Sequence, residues 1–169
     1  RNICSIGSNA KLAAGNATGR FGLGFNAVYH FTDVPSFISG SHLVFFDPAA
    51  QFLPGATANN PGLKIKFAGE SFLEQFPDQF APYLMFGCDM KARFHGTLFR
   101  FPLRTPEAAA KSEVSRRSYG TVQLEELLAS CKSRMADTLL FLRNVTRMEV
   151  YRYNDKTRAV QLAHAVDRK

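Results

Sequence analysis

The sequence feature that most constrains the fold is a run of glycines directly before a predicted helix. The residues from Gly19 to Phe25 follow a G-x-x-G-x-G pattern, and apolar residues fall at helical spacing at Leu23, Ala27, Val28 and Phe31. Because glycine lacks a Cβ atom, such a run allows positive φ angles and lets backbone N–H groups approach a ligand closely. A helix start adds unpaired N–H donors that favour phosphate. The glycine order is neither that of the dinucleotide fingerprint nor that of a P-loop. The run alone therefore predicts either a phosphate-binding turn or an ordinary flexible loop.

The composition excludes several classes of protein. With 169 residues, 46% hydrophobic and 21% charged, the chain is long enough for one domain with a real core and does not match disorder. Its longest apolar runs, such as residues 138–142, are far too short to cross a bilayer, so we expect no membrane association. The net charge of +7 is spread along the chain, which favours a solvated mixed-charge surface over a nucleic-acid interface.

The cysteines and histidines indicate neither a disulfide framework nor a metal site. Three cysteines are present, none in a C-x-x-C pair, and the four histidines are scattered. This pattern suits a reducing compartment, and we expect a cytoplasmic protein in which Cys4, Cys88 and Cys131 act as small buried apolar residues.

The hydrophobic pattern predicts an α+β fold, with helices packed on one face of a mixed β-sheet. A helix is expected from about Gly22 to Asp33, two short helical segments around Pro77, and an amphipathic helix over 122–135 that ends before Asp137. Alternating or apolar runs predict a hairpin of two strands around Gly40 and further strands at 63–67, 97–101, 147–153 and 159–166.

Three segments, in order, resemble an ATPase superfamily: that of gyrase, heat-shock chaperones, histidine kinases and MutL (GHKL). The glycine run resembles the second glycine box of its heat-shock protein 90-like branch, Ile6–Lys11 resembles the segment before the nucleotide lid, and Gly96–Phe101 resembles the Gly-Thr strand at the adenine end of the pocket. Three longer sequence segments resemble the sacsin family of giant co-chaperones with repeated ATPase-like modules: FGLGFNAVYHFTDVPSFISG, LVFFDP and GTLFRFPLR.

This resemblance implies a Bergerat-type two-layer sandwich that binds ATP. It implies the C-terminal part of a nucleotide-binding domain over residues 1–106, containing the lid and the second glycine box, followed by a helix and β-hairpin extension over 107–169. The chain contacts nucleotide, by this resemblance, through Ser8, Lys11, Gly19, Arg20, Phe21, Gly22, Leu23, Gly24, Phe25 and Thr97. In this assignment Gly22 and Gly24 present backbone N–H groups to phosphate, and Thr97 reaches the adenine edge directly or through a water.

The resemblance also implies residues that lie upstream of Arg1. The catalytic Glu, the Mg²⁺-binding Asn and the adenine-reading Asp of the family precede the lid, so no catalytic or metal-binding residue is assigned here. We therefore expect a chain cut from a longer protein, with its N-terminal part missing, that by itself binds ATP weakly and does not hydrolyse it. Two functions stay open for the longer protein: an ATP-hydrolysing chaperone module acting on client proteins or with other chaperones, or a degenerate repeat that serves as an interaction scaffold.

Overall fold

The computed structural model describes residues 23–168, with the side chain of Leu23 excepted. Their contacts divide after Tyr119 into two compact units. Residues 107–119 belong to the first unit, in which Ser112 hydrogen-bonds to Asp33 and the backbone of Tyr119 to that of Arg104. The predicted boundary after residue 106 concerns where a nucleotide-binding domain ends, and it stays a prediction.

The first unit is built on a four-stranded sheet in which every pairing is antiparallel. In the order β3-β2-β1-β4, its strands are β1 (Ser36–Gly40), β2 (His42–Phe46), β3 (Gly62–Lys66) and β4 (Phe94–Arg100). Strands β1 and β2 form the hairpin that the sequence predicts. Gly40 lies at its turn with a φ of 60°, a value that residues with a Cβ atom rarely adopt.

Short helices cover one face of this sheet and form the core with it. They are α2 (Phe72–Gln75), α3 (Pro77–Phe80) and a 3₁₀ helix over Ala81–Tyr83. Pro77 opens α3, where its missing N–H costs no hydrogen bond, so the two segments divide where the sequence predicts. The buried core contains Ile38, Leu43, Phe67, Phe80, Tyr83, Cys88 and Met90. Phe80 and Tyr83 of this aromatic segment therefore pack in the core, whereas Phe76 and Phe86 are exposed.

The opposite face of the sheet carries a cluster of phenylalanines. The Phe37 ring lies 5.9 Å from Phe46 and 5.5 Å from Phe99, and Phe99 lies 5.9 Å from Phe101. We call this surface the aromatic face. The first helix, α1 (Leu23–Asn26), continues as a 3₁₀ helix over Ala27–His30 and contacts the aromatic face through Phe25. The helical segment thus ends earlier than predicted, at His30 rather than near Asp33.

The second unit consists of one long helix and a hairpin. After α4 (Pro106–Lys111) of the first unit, α5 spans Thr121–Phe141, and β5 (Arg147–Asn154) pairs antiparallel with β6 (Ala159–Asp167). Helix α5 packs on the hairpin through its buried Met135 and Leu139. An ion pair between Arg152 of β5 and Glu125 of α5 adds a second contact.

Two sequence predictions about the second unit are wrong. Helix α5 continues through Asp137 to Phe141, because Leu139 is buried and extends the packed stripe by one turn. Cys131 is exposed, in contrast to the buried Cys88.

Within residues 23–168, no helix combines the length and apolar character that crossing a membrane requires. The α+β class is confirmed.

Candidate functional site

The structure describes four of the ten predicted site residues. Ser8, Lys11, Gly19, Arg20, Phe21 and Gly22 lie outside the described residues. Of the other four, Leu23 and Gly24 lie in the backbone of α1, Phe25 follows them, and Thr97 lies in the middle of β4. Thr97 lies more than 70 positions after the other three, so only the tertiary structure relates it to them.

Gly24 presents an open backbone rather than a strained one. It lies in α1 and is absent from the glycines with positive φ, so the argument that its conformation needs glycine does not apply. A Cβ atom built on Gly24 meets no described atom within 4 Å. No described atom therefore fills the space in front of this exposed backbone, and close approach of a ligand to the backbone is the second reason a glycine serves at such a position.

Phe25 fixes the start of α1 against the sheet. Its ring centroid lies 5.2 Å from that of Phe46 and 6.1 Å from that of Phe99, and it meets Tyr29 edge-on at 6.3 Å. Such edge-to-face and tilted pairs contribute about 0.5–1.5 kcal/mol each beyond the burial of their area. Because Phe99 and Thr97 are two residues apart in β4, both side chains leave the same face of the sheet. The structure thus brings the glycine-bearing helix start and Thr97 to the aromatic face.

Thr97 belongs to a polar row that crosses the sheet at one end of the aromatic face. The strand register pairs Thr97 with Ser39, Ser39 with His42, and His42 with Lys66. The hydroxyls of Ser39 and Thr97 are 3.1 Å apart, and the Ser39 hydroxyl donates to the carbonyl oxygen of Gly96 at 3.2 Å. The row offers hydroxyl, imidazole and ammonium groups beside an apolar surface, a combination suited to a flat aromatic ligand with polar edges.

A buried arginine secures the segment that follows α1. The guanidinium of Arg104 pairs with Asp33, with Nε–Oδ2 and Nη2–Oδ1 distances of 2.8 and 3.0 Å. Its other three N–H groups donate to the carbonyls of Tyr29, His30 and Arg117 at 2.9, 3.0 and 3.1 Å. All five guanidinium donors are therefore satisfied, and we call this arrangement the Arg104 clasp.

Further hydrogen bonds complete the clasp. Ser112 donates its hydroxyl proton to Asp33 Oδ1 at 2.6 Å, and the backbone N–H of Arg104 donates to the carbonyl of Phe31 at 2.8 Å. Arg104 is 2% exposed, so its charge is stabilised by these partners and not by water. The sequence pattern does not indicate a role for Arg104 or Asp33. Asp33 lies in the segment TDVP and Arg104 in the segment FPLR, but nothing in either segment indicates that the two residues are partners.

The described residues do not form a metal centre. Residues 23–168 contain no group of three His, Cys, Asp or Glu side chains placed to hold an ion. The Mg²⁺-binding residue that the resemblance implies is an Asn, which is not one of these four residue types, so the Mg²⁺ site stays a prediction. The groups that the described residues bring together on the aromatic face are phenylalanine rings and the hydroxyls of Ser39 and Thr97.

The fold and this surface define a class of protein: an α+β domain with a glycine-bearing helix start and a strand threonine on one face of an antiparallel sheet. The chain belongs to the Sacsin domain family, whose model matches residues 1–165. It is 36% identical to Sacsin of Homo sapiens over 167 residues. That match covers 98% of this chain but 4% of the length of the human protein.

Proposed function

We propose that this chain forms the phosphate and lid half of a chaperone-type ATP-binding module of the GHKL superfamily. In this proposal the backbone around Gly24 faces phosphate and Thr97 faces the adenine edge. The full-length protein would couple lid closure over ATP to work on client proteins or with other chaperones in the cytoplasm. ATP hydrolysis belongs to the proposal for the full-length protein alone, since the proposal assigns no catalytic role to a described residue.

The observation that carries the proposal is the shared face of Phe25 and Thr97. A nucleotide needs a phosphate site and a base site at a fixed separation on one surface. The Phe25–Phe99 contact joins the glycine-bearing element to the strand that holds Thr97. The lack of any described atom within 4 Å of a Cβ on Gly24 and the exposure of Thr97 both support a ligand on this face.

The Arg104 clasp supports the same proposal because it fixes the backbone that follows α1. It holds the carbonyls of Tyr29 and His30, which end the helical segment begun at α1. A binding surface loses affinity when its groups must be ordered as the ligand binds. A helical segment that is already held at both ends avoids this cost, so it binds a ligand more tightly. Phe25 holds the start of this segment and Arg104 holds its end.

The proposal is tested by nucleotide binding to the full-length protein. Isothermal titration calorimetry with ATP would compare the wild type with Gly24→Val and with Ala27→Val. Ala27 is exposed and lies three residues later in the same helical segment, so its variant controls for a β-branched residue there. We expect Gly24→Val to lose at least tenfold in ATP affinity because its side chain fills the open space, which corresponds to about 1.4 kcal/mol. Ala27→Val should bind as the wild type does.

Two results would contradict the proposal. If the wild-type full-length protein binds no ATP, the site is not a nucleotide site, and the scaffold function is favoured. If Gly24→Val and Ala27→Val weaken ATP binding equally, the open backbone at Gly24 has no special role. Binding of ATP without release of phosphate over many turnovers would limit the module to a nucleotide-dependent scaffold.

A further inference from the structure

The stretch from Phe67 to Met90 is acidic in a chain that is otherwise basic. It contains four acidic residues and no Lys or Arg, a formal charge of −4, whereas the whole chain carries +7. Three of these residues, Glu70, Glu74 and Asp78, are exposed. Within residues 23–168 none of the three forms an ion pair. Their charge is therefore available to a basic partner.

Exposed apolar side chains lie in the same stretch. Phe76, Leu84 and Phe86 are 48%, 43% and 63% exposed. Phe76 separates α2 from α3 and its ring lies 6.4 Å from that of Phe80, while Leu84 directly follows the 3₁₀ helix over Ala81–Tyr83. The apolar and the acidic side chains thus come from the same layer of short helices. We call the exposed side chains of Glu70, Glu74, Phe76, Asp78, Leu84 and Phe86 the acidic apolar surface.

Phe86 has a backbone conformation that its side chain disfavours. The N–H of Cys88 donates to the carbonyl of Met85 at 2.9 Å, which closes a turn whose central residues Phe86 and Gly87 have φ angles of 51° and 83°. Gly, Asn and Asp suit positive φ, whereas a bulky aromatic residue rarely adopts it. Cys88 and Met90 are buried in the core and anchor this turn. A largely exposed ring in a strained turn contributes little to folding, which favours a role in binding.

The backbone of this surface is already hydrogen-bonded. Seven of its N–H groups donate to carbonyls of the same segment at 2.8–3.2 Å: those of Glu74, Gln75, Phe76, Gln79, Phe80, Leu84 and Met85. A partner therefore does not add a strand here, as it would at a sheet edge, and contacts side chains instead. A segment that gains no backbone hydrogen bonds on binding must satisfy its own backbone groups, as an α-helix does.

We propose that the acidic apolar surface binds a basic amphipathic helix of another protein. Apolar residues of that helix pack on Phe76, Leu84 and Phe86, and its Lys and Arg side chains lie beside the three carboxylates. Charge complementarity of this kind speeds association and selects the partner, while buried aromatic anchors provide most of the affinity. Nucleotide has no part in this contact, so the inference goes beyond the proposed function.

The test measures the binding of three fluorescein-labelled peptides to the full-length protein, by fluorescence anisotropy and without nucleotide. The first peptide has about 18 residues, enough to form a helix, with Leu on one face and Lys on the other. The second has Glu in place of every Lys, and the third has Gln in place of every Leu. We expect the first to bind at least about tenfold more tightly than either of the others. Its affinity should fall as NaCl is added, because salt screens exposed charges.

One pair of variants tests the apolar anchor. Phe86→Ala should weaken binding of the first peptide about tenfold, as truncation of an aromatic anchor does. Phe141→Ala is the matched control, because Phe141 is 86% exposed but lies in α5 of the second unit. It should bind the peptide as the wild type does. Because both rings are largely exposed, neither substitution removes core packing.

A second pair of variants tests the charge. The double variant Glu74→Lys, Asp78→Lys should bind the first peptide about tenfold more weakly and the acidic peptide more tightly than the wild type. The double variant Glu126→Lys, Asp137→Lys makes the same change at exposed positions of α5 and should leave both affinities unchanged.

Three outcomes would overturn the inference. The first is a wild type that does not bind the basic amphipathic peptide, and the second is a wild type that binds the acidic peptide equally well. The third is an equal effect of the two variants in either matched pair, since the peptide would then bind elsewhere. ATP titrations of the same protein are independent of these results, so a failure here and a failure of the proposed function are distinguishable.

Discussion

Replacing Arg104 by Met should strongly destabilise the first unit. Methionine fills much of the arginine volume but provides no donor. The substitution leaves the Asp33 carboxylate, which is 7% exposed, with Ser112 but without its cationic partner. It also leaves the carbonyls of Tyr29, His30 and Arg117 without the guanidinium donors they have in the wild type. The backbone after α1 and the loop before Tyr119 would lose their common attachment.

The size of the effect follows from the burial of the pair. Removing one partner of a buried ion pair costs about 3–5 kcal/mol, because a charge stays buried without compensation. Whole domains are stable by only about 5–15 kcal/mol, so this loss is a large part of the total. Arg104→Lys should fall between the variant and the wild type. Its ammonium has three donors for five acceptors and lacks the planar fork that binds both carboxylate oxygens.

A matched control exists in the second unit. Arg152 also makes a bidentate pair, with Glu125 oxygens at 2.9 and 2.6 Å, but about half of each side chain is exposed. Arg152→Met makes the same substitution without the burial, and we expect no measurable change in stability. Urea denaturation of the 169-residue chain, followed by circular dichroism, gives the free energy of unfolding. Hydrogen exchange of individual peptides then assigns the loss to one unit or the other.

The reasoning predicts a specific pattern of exchange. In Arg104→Met, peptides covering residues 29–33 and 112–119 should lose protection first, because the clasp joins them. Equal losses of stability in Arg104→Met and Arg152→Met would show that burial does not set the cost. A change of less than about 1 kcal/mol in Arg104→Met would show that the clasp adds no more than an ordinary hydrogen bond.

Three further predictions concern individual side chains. Burial raises the pKa of the Tyr83 phenol above its ordinary value of 10.0, so its contribution to stability is complete below that pH and is lost as the pH rises. The free energy of unfolding of Tyr83→Phe should therefore fall less steeply with pH in the alkaline range than that of the wild type. An unchanged slope would contradict this. Burial likewise raises the pKa of the Cys88 thiol, so mass spectrometry should find the exposed Cys131 alkylated well before Cys88. Gly40→Ala should lower the free energy of unfolding, measured by urea denaturation, by about 1–2 kcal/mol because φ is positive there, whereas Gly24→Ala should leave it unchanged. Similar values for both variants would refute the strain argument.

Local pattern was enough to predict the elements and the class of fold. Alternation along 63–67 and 147–153, the turn at Gly40 and the break at Pro77 each depend on neighbours within a few residues. The helix lengths were less predictable. Helix α5 gains a turn from the packing of Leu139, and α1 tightens into a 3₁₀ helix, and tertiary contacts decide both outcomes.

The sequence by itself also determined the motifs: the glycine run, the Gly-Thr strand and their order, since these are matters of residue type and spacing. Only the tertiary structure decided which residues meet. Strand order and register bring Phe25 to Phe99 and Ser39 to Thr97, and burial joins Arg104 to Asp33 across 71 positions. The physical reason is that a hydrogen bond or ring contact depends on distances of a few ångströms, and such distances between remote residues are set by the packing of the whole sheet.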